Sequence, residues 1–258
     1  MIPKVIHYCW YGRSKLSSTI RMCIDSWKRW CPDYQIKEWN EDNTPMDIPW
    51  IHDAYRHQKY AFVADYMRFF ILYNEGGIYM DTDMLLVRNL DDFLEHSIFL
   101  GREDQYNVSF GIVGSSKGSS FCKKCVEYYD EMSFDLVHPP IITRLLTPKL
   151  FEYGLVEKDE TQYLSNGLAV YESAFFYPIH YTQQFEMKDV LSYAKEDTYG
   201  IHLWNKSWTD EFELLEANQW KLGFMLVRQR IRRTPLLPLS YWKKIVKYLG
   251  RYLGLWKR

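Results

Sequence analysis

Two hydrophobic patterns alternate along the first ninety residues. Short continuous apolar runs are typical of buried strands, and apolar residues at three- and four-residue steps are typical of helices. Ser17 or Ser18 is expected to cap the first helix, and Gly76-Gly77 is expected to end the second. The strand-like runs are 2–12 (IPKVIHYCWYG), 34–39 and 78–87, and the helical stretches are 17–31 and 57–77.

This strand–helix alternation predicts an α/β fold with a mainly parallel central sheet. The rest of the chain continues the mixture of both element types. Further strands or strand-and-loop segments are predicted at 97–104, 107–116, 168–178 and 199–208, and further helices at 119–133 and 138–154.

Charge divides the 258 residues into two parts. The formal net charge is −1, but residues 217–258 contain eleven Lys and Arg and no Asp or Glu, which leaves 1–216 with a net charge of −12. We therefore predict a main domain at 1–216 and a basic extension at 217–258. Such an asymmetry indicates an anionic partner for the extension.

Basic and apolar residues interleave within 225–258 in the pattern of an amphipathic helix that lies on an anionic membrane surface. The apolar stripe argues against a nucleic-acid partner. Packing of the helix on the acidic main domain is the other alternative. The predicted stripe is Trp242, Ile245, Leu249, Leu253 and Trp256, with Lys243, Lys244, Lys247 and Arg251 between its members.

Five cysteines are present, and Cys122-x-x-Cys125 has no second pair at the spacing of a zinc site. Reduced thiols are therefore expected. No signal peptide precedes Ile2, and no apolar run approaches the ~20 residues of a membrane span. These features predict a cytoplasmic protein.

Two carboxylates interrupt the apolar run at 78–87. If Asp81 and Asp83 lie in a strand, they share one face, and burial would raise the pKa of at least one of them. A divalent cation removes this cost, and Mn²⁺ or Mg²⁺ is commonly held by carboxylates together with a substrate diphosphate. The pattern therefore indicates a metal–diphosphate site, with a solvated acidic turn as the alternative.

A second charged pair, Asp65 and Arg68, lies three residues apart within the predicted helix 57–77. One interpretation is a surface ion pair. The other is that Arg68 meets a phosphate or sugar hydroxyl while Asp65 accepts hydrogen bonds from the sugar. The apolar neighbours in AFVADYMRFF favour the second.

Three segments together, IPKVIHYCWYG, AFVADYMRFFILYNEGGIYMDTD and HLWNKSW, resemble the D-x-D sugar transferases of glycosyltransferase family 32, in particular bacterial members. The resemblance covers about residues 1–210. It implies a GT-A fold, a nucleotide-sugar donor, a divalent metal that is usually Mn²⁺, and retention of anomeric configuration. By analogy with bacterial relatives, a UDP-sugar is the preferred donor, and the acceptor is a saccharide or a lipid-linked glycan. The membrane location predicted from the basic extension, at the inner face of the cytoplasmic membrane, would suit an enzyme that extends a lipid-linked glycan for capsule or lipopolysaccharide.

The same resemblance implies roles for individual residues. Asp83 would bind the metal directly, and Asp81 would contact the ribose and the water shell of the metal. His202 would be a further metal ligand, although a histidine satisfied within a strand is the alternative. Acceptor-side candidates are Asn107 and Ser109. The implied donor-binding set is Tyr8, Trp10, Asp65, Arg68, Asp81, Ser207 and Trp208, with Trp204 in the closing loop, and the implied catalytic set is Asp65, Arg68, Asp81 and Asp83.

Two rival functions are compatible with a D-x-D pair. A D-x-D-x-T phosphatase or phosphotransferase needs Thr or Val where this chain has Leu85, which counts against it. An inactive carbohydrate- or membrane-binding module would be expected to lose its costly buried charges, and both aspartates are present. Dependence on a metal separates these alternatives.

Overall fold

The computed structural model describes residues 1–136, 139–183, 189–204, 212, 215, 220–233, 237 and 239–255. It divides into two compact units, Met1–Asn205 and Lys206–Arg258. The division falls ahead of the predicted boundary at 217, because that boundary marks where basic residues begin and the units are defined by contacts. The amino-terminal unit carries the sheet, and the described part of the carboxy-terminal unit is mainly helical.

The described strands are β1 (Val5–Cys9), β2 (Gln35–Trp39), β3 (Gly77–Met80), β4 (Met84–Leu86), β5 (Ile98–Arg102), β6 (Val108–Ser115), β7 (Gln162–Leu164), β8 (Leu168–Tyr171) and β9 (Gly200–His202). All except β4 and β9 form a seven-stranded mixed sheet at the centre of the amino-terminal unit, in the order β2-β1-β3-β6-β5-β8-β7. Strands β1, β2, β3, β5 and β8 run in one direction, and β6 and β7 run against them. The predicted α/β fold with a mainly parallel sheet is therefore confirmed.

Helices cover both faces of this sheet. Alternate strand residues enter two separate hydrophobic clusters: Ile78 and Met80 join one cluster, and Tyr79 between them joins the other. This alternation is what a strand buried on both faces requires. The helices of the unit are α1 (Ser18–Trp30), α2 (Pro49–Arg56), α3 (Tyr60–Glu75), α4 (Ser120–Asp130), α5 (Ile142–Leu150) and α6 (Ser173–Phe176).

Local signals in the sequence set the ends of α1 and α3. The Ser17 hydroxyl accepts a hydrogen bond from the amide of Ile20, which confirms an N-cap at this position. Helix α3 ends at Glu75 with Gly76 as its C-cap, and both Gly76 and Gly77 have positive φ. A Cβ on Gly77 would lie 2.7 Å from the carbonyl oxygen of Val5, so close packing against β1 also requires glycine there.

A buried histidine fixes this turn to the sheet. Nε2 of His7 lies 2.9 Å from the carbonyl oxygen of Gly76, and Nδ1 accepts a hydrogen bond from the indole of Trp39. With Nδ1 accepting, Nε2–H donates to Gly76. One imidazole therefore joins β1, β2 and the turn that leads into β3.

Over 225–258, where a single helix was expected, the described residues belong to two helices, α7 (Trp220–Arg233) and α8 (Leu239–Tyr252). They share a small core made by Leu215, Val227, Ile245 and Tyr248. Ile245 is therefore buried within the unit and does not belong to an exposed stripe, and Trp256 lies outside the described residues. Among the described residues, no helix combines the length and the apolar character that crossing a membrane requires.

Candidate functional site

The D-x-D pair lies in a tight turn at the carboxyl end of β3. Strand β3 ends at Met80 and β4 begins at Met84, and the amide of Met84 donates to the carbonyl oxygen of Asp81 at 3.0 Å. The expectation that both aspartates lie within a strand is therefore wrong. A turn, and not strand alternation, brings their carboxylates together.

His202 reaches this turn through a separate two-stranded sheet. Strand β9 pairs antiparallel with β4, with Met84 opposite His202, and the amide of Leu203 donates to the carbonyl oxygen of Asp83. The indole of Trp27 in α1 donates to the carbonyl oxygen of Met84 at 2.6 Å and supports β4 from the other side. These bonds fix the position of the imidazole relative to the turn.

Asp81, Asp83 and His202 form a cluster in which one ligand atom from each lies within 4.8 Å of the others. Nε2 of His202 is 3.1 Å from Asp83 Oδ1 and 4.0 Å from Asp81 Oδ2. Nδ1 of the same ring is buried and makes no hydrogen bond within the described part of the chain. Two carboxylates and one imidazole form a donor set that suits Mn²⁺, and the carboxylates alone suit Mg²⁺.

Electrostatics in the cluster favour a positive charge. Burial lowers the pKa of His202, but the carboxylates of Asp83, Asp81 and Glu103 together outweigh burial and the net shift is upward. Burial raises the pKa of Asp81, against the opposing effects of Arg68 and His202. A divalent cation bound here would interact with the same carboxylates and would need the imidazole in its neutral form.

Asp65 and Arg68 are both buried on α3, so the interpretation of this pair as a surface ion pair is wrong. Arg68 Nη2 lies 2.6 Å from Asp65 Oδ1 and 3.5 Å from Asp81 Oδ1, and Nη1 donates to the carbonyl oxygen of Phe110. The guanidinium also stacks over the ring of Tyr79, 4.7 Å from its centroid. Arg68 therefore joins α3, β6 and the D-x-D turn in one network.

The pKa values in this network follow from burial and pairing. Burial raises the pKa of Asp65 to about 7, although Arg68 opposes the rise. Burial by itself would lower the pKa of Arg68, but Asp81 and Asp65 reverse that effect and the pKa lies above its usual value. The arginine is thus charged in the folded protein. It supplies the positive charge that pairs with the carboxylates of Asp65 and Asp81.

Tyr8 and Trp10, two residues of the implied donor-binding set, differ in exposure. Tyr8 is buried against Trp27, and its hydroxyl donates to Glu38 at 2.6 Å. Trp10 is half-buried just beyond the end of β1, and its indole donates to the carbonyl oxygen of Ser14. Both lie at the carboxyl end of a parallel strand, the edge at which open α/β sheets bind ligands.

The remaining predicted residues differ in whether they lie near the cluster. Trp204 packs against the ring of His202 with centroids 4.2 Å apart, so it belongs to the cluster. Ser109 is buried on β6, whereas the side chain of Asn107 binds Asp104 and holds a loop. Ser207 and Trp208 lie outside the described residues.

Two site residues were not predicted from the sequence. A Cβ on Gly111 would lie 3.0 Å from Asp81 Oδ2, 3.2 Å from the hydroxyl of Tyr177 and 3.6 Å from Nε2 of His202. The hydroxyl of Tyr177 accepts from the amide of Ile112. A glycine in the middle of an apolar strand is the one available signal, since it can mark close approach of a ligand or backbone.

A second cleft of about 430 Å³ adjoins the cluster across Tyr177. It lies beyond the carboxyl ends of β5 and β8, at the same edge of the sheet as the D-x-D turn. Exposed Tyr106 contributes an aromatic surface. The cleft is lined by Glu103, Asp104, Gln105, Tyr106, Asp159, Ser173, Tyr177, Pro178, His180 and Gln183.

Two family models match the chain in succession. "Glycosyltransferase sugar-binding region containing DXD motif" matches residues 17–100, and "Alpha 1,4-glycosyltransferase conserved region" matches residues 115–227. The first region contains both aspartates of the cluster, and the second contains His202 and Tyr177.

Named relatives are similar over part of their length. Inositol phosphoceramide mannosyltransferase 3 of Schizosaccharomyces pombe is 30% identical over 58% of this chain and 43% of its own. Lactosylceramide 4-alpha-galactosyltransferase of Mus musculus is 24% identical over 69% of this chain and 50% of its own. The chain thus spans about half the length of these relatives. A solved structure of the galactosyltransferase LgtC with donor and acceptor sugar analogues is similar over 93% of this chain and 99% of its own, at 13% identity and a TM-score of 0.38.

Proposed function

The chain belongs to the glycosyltransferases of the D-x-D, family 32 type, and we propose that it transfers a hexose or N-acetylhexosamine from a nucleotide sugar, a UDP-sugar by preference, to a saccharide acceptor in surface polysaccharide synthesis. The observation that carries this proposal is the convergence of Asp81, Asp83 and His202 within 4.8 Å. Retention of anomeric configuration is part of the proposal and follows from the resemblance.

Asp83, His202 and Asp81 would hold Mn²⁺, or Mg²⁺, against the donor diphosphate. When bound, the metal supplies charge neutralisation for the leaving nucleoside diphosphate. Tyr8 and Trp10 would lie at the nucleobase, and Ser207 and Trp208 would close over the donor.

Asp65 and Arg68 would orient the donor sugar. Because Asp65 is engaged by Arg68 at 2.6 Å, we assign it hydroxyl binding rather than nucleophilic attack. In the step proposed, the bond from the anomeric carbon to the phosphate oxygen breaks and a bond to the acceptor oxygen forms on the same face. The proton of the acceptor hydroxyl passes to the leaving phosphate oxygen.

The second cleft would take the acceptor. Its position beside Tyr177 places it next to the metal cluster, and its size and its mixture of carboxylate, amide and aromatic groups suit a sugar ring. Both named relatives act, by their names, on ceramide-based acceptors. A lipid-linked glycan is the corresponding acceptor class proposed here.

The location proposed is cytoplasmic, peripheral on the inner face of the cytoplasmic membrane, with 225–258 as the attached segment. The absence of acidic residues from 217–258 supports attraction to anionic lipid. A capsule or lipopolysaccharide precursor carried on lipid would be reached there. Nucleic acid is not proposed as a partner.

Thermal melting tests the donor–metal site. The purified chain is melted with UDP, GDP or CMP, each with Mn²⁺, with Mg²⁺ or with EDTA. One nucleoside diphosphate should raise the melting temperature only in the presence of Mn²⁺, because a ligand that binds the native state stabilises it by mass action. Asp83→Asn should lose that rise, and Asp25→Asn, in an exposed ion pair on α1, should keep it. If no nucleotide shifts the melting temperature in the presence of either Mn²⁺ or Mg²⁺, the proposal is wrong.

A further inference from the structure

Helix α8 has two apolar faces, and one of them is exposed. Ile245 and Tyr248 are buried in the core of the carboxy-terminal unit. A second set of apolar residues recurs at steps of three and four along the same helix and just beyond it. This exposed stripe consists of Leu239, Trp242, Val246, Leu249 and Leu253, whose exposed fractions are 72%, 42%, 55%, 39% and 64%.

Within the part of the chain that the structure describes, the residues of the stripe do not belong to the core of their own unit. The core of that unit is made by the other face of α8, with Val227 of α7. Five exposed apolar side chains in a row are more than the isolated apolar residues that ordinary surfaces carry. The stripe therefore indicates a surface that a binding partner covers.

The charged residues beside the exposed stripe indicate which kind of partner covers it. At about 100° of rotation per residue, Lys243, Lys247 and Arg251 follow directly on one side of the stripe, and the buried face follows on the other. Neither α7 nor α8 contains an acidic residue. An apolar stripe beside a row of cations matches the boundary between acyl chains and anionic headgroups.

We infer that the exposed stripe of α8 is the surface by which this protein docks on an anionic phospholipid bilayer. Trp242, Val246 and Leu249 enter the boundary between headgroups and acyl chains, and the adjacent lysines contact the headgroups. This surface replaces the stripe predicted from the sequence, because Ile245 is used inside the unit and Val246 takes its place. The inference rests on the proposed location and not on the proposed sugar transfer.

Vesicle sedimentation of the full chain tests it. Vesicles of phosphatidylcholine alone are compared with vesicles of equal parts phosphatidylcholine and phosphatidylglycerol. The wild type should bind the anionic vesicles more tightly, and each of Lys243→Gln and Lys247→Gln should weaken that binding about fivefold. Trp242→Ser with Leu249→Ser should reduce it at least about tenfold.

Met225→Ser on α7 is the matched control, since it also removes an exposed apolar side chain and should leave binding unchanged. Circular dichroism and the Mn²⁺-dependent nucleotide shift establish that the variants are folded. Equal binding to both vesicle types overturns the inference. So does equal loss in the Met225 and double variants. A dimer that the double variant abolishes, without vesicle binding by the wild type, overturns it in favour of a second copy of the chain.

A failed vesicle experiment together with a retained nucleotide shift removes the docking surface and leaves the proposed function standing. A lost nucleotide shift with retained vesicle binding does the reverse. The two proposals are therefore tested separately by one set of proteins.

Discussion

His202 Nε2 lies 3.1 Å from Asp83 Oδ1, although 119 residues separate them in the chain. Backbone pairing of β9 with β4 produces this contact, because Met84 is opposite His202 and Leu203 bonds back to Asp83. The third ligand of the candidate metal site is thus delivered by a short sheet outside the main one. Loss of that pairing would remove the imidazole without altering the D-x-D turn itself.

Replacing His202 by Ala should weaken Mn²⁺ binding. Loss of a residue that merely orients a ligand costs about 10–100-fold in metal affinity, so loss of a direct ligand should cost at least about a hundredfold. Calorimetric titration with Mn²⁺ measures the change. His52→Ala, at an exposed histidine on α2, is the control and should bind Mn²⁺ as the wild type does. Unchanged Mn²⁺ affinity in His202→Ala would exclude the imidazole from the site.

Gly111→Ala should damage the site and spare the fold. The new methyl group would lie 3.0 Å from Asp81 Oδ2, in the space that the cluster surrounds, and the backbone at Gly111 does not have positive φ. We expect the Mn²⁺-dependent nucleotide shift to disappear while the free energy of unfolding changes by less than about 1 kcal/mol. Urea unfolding and nucleotide melting measure the two effects.

Gly114→Ala on the same strand is the comparison. There the new Cβ would lie 1.9 Å from the Phe99 ring, so overpacking should cost about 1–3 kcal/mol of stability. If Gly111→Ala destabilised the protein as much as Gly114→Ala does, the glycine would serve packing rather than the site.

Arg68→Met should destabilise the protein by about 3–5 kcal/mol, because Asp65 and Asp81 lose their buried counter-charge. Asp65→Asn should cost less, about 1–2 kcal/mol, since Arg68 keeps Asp81 and the carbonyl oxygen of Phe110. Urea unfolding at pH 8 compares the two. A larger loss in Asp65→Asn than in Arg68→Met would show that the arginine is not the centre of the network.

Because of His7, the free energy of unfolding should decrease in mild acid. Burial lowers its pKa from 6.5 to about 4, so the unfolded chain binds a proton between these pH values that the folded protein does not. The contribution of His7 to the free energy of unfolding is therefore fully present above pH 6.5. It decreases progressively as pH falls to about 4, by an amount on the order of 3 kcal/mol.

Urea unfolding across that pH range measures this loss, and His7→Gln should flatten the profile because it has no titrating ring. NMR titration of the imidazole provides the direct check. A ring that becomes protonated near pH 6.5 in the folded protein would contradict the expected burial effect.

Tyr106→Ala should raise the KM for the acceptor and leave hydrolysis of the donor alone unchanged. Tyr106 is an exposed ring of the second cleft, and it is not one of the candidate metal ligands Asp81, Asp83 and His202. Stacking on an aromatic ring contributes roughly 1 kcal/mol or more, so about a fivefold increase in KM is expected.

A soluble lactoside and UDP-galactose are suitable first probes for this measurement, with Tyr163→Ala as a control at an exposed tyrosine away from the cleft. An effect on donor hydrolysis would place Tyr106 on the donor side. An unchanged KM with an acceptor that is turned over would remove Tyr106 from the acceptor site.

Features fixed by neighbouring residues could be predicted from the sequence. The cap at Ser17 and the end of α3 at Gly76 depend on side chains a few residues away, and both are confirmed. The position of the two aspartates was predicted wrongly, because an apolar run around Asp81 and Asp83 resembles one strand when a turn divides it in two. Chain pattern alone does not locate a three-residue turn with apolar flanks.

Features that depend on distant pairing could not be predicted from pattern. The approach of His202 requires β9 to pair with β4, and the role of Gly111 requires β6 to lie between β3 and β5. Likewise, Ile245 and Val246 are adjacent apolar residues, and only packing against Val227 determines which is buried.

The three candidate ligands come from two regions that different family models match, 17–100 and 115–227. An ion bound by them would act as a reversible cross-link that closes a loop of more than a hundred residues. Neither region alone contains the complete set of ligands, so a fragment of either should bind Mn²⁺ poorly. The ion would join the D-x-D turn to strand β9. Amide hydrogens of Gly200–His202 should therefore exchange more slowly when Mn²⁺ is present than when it is chelated.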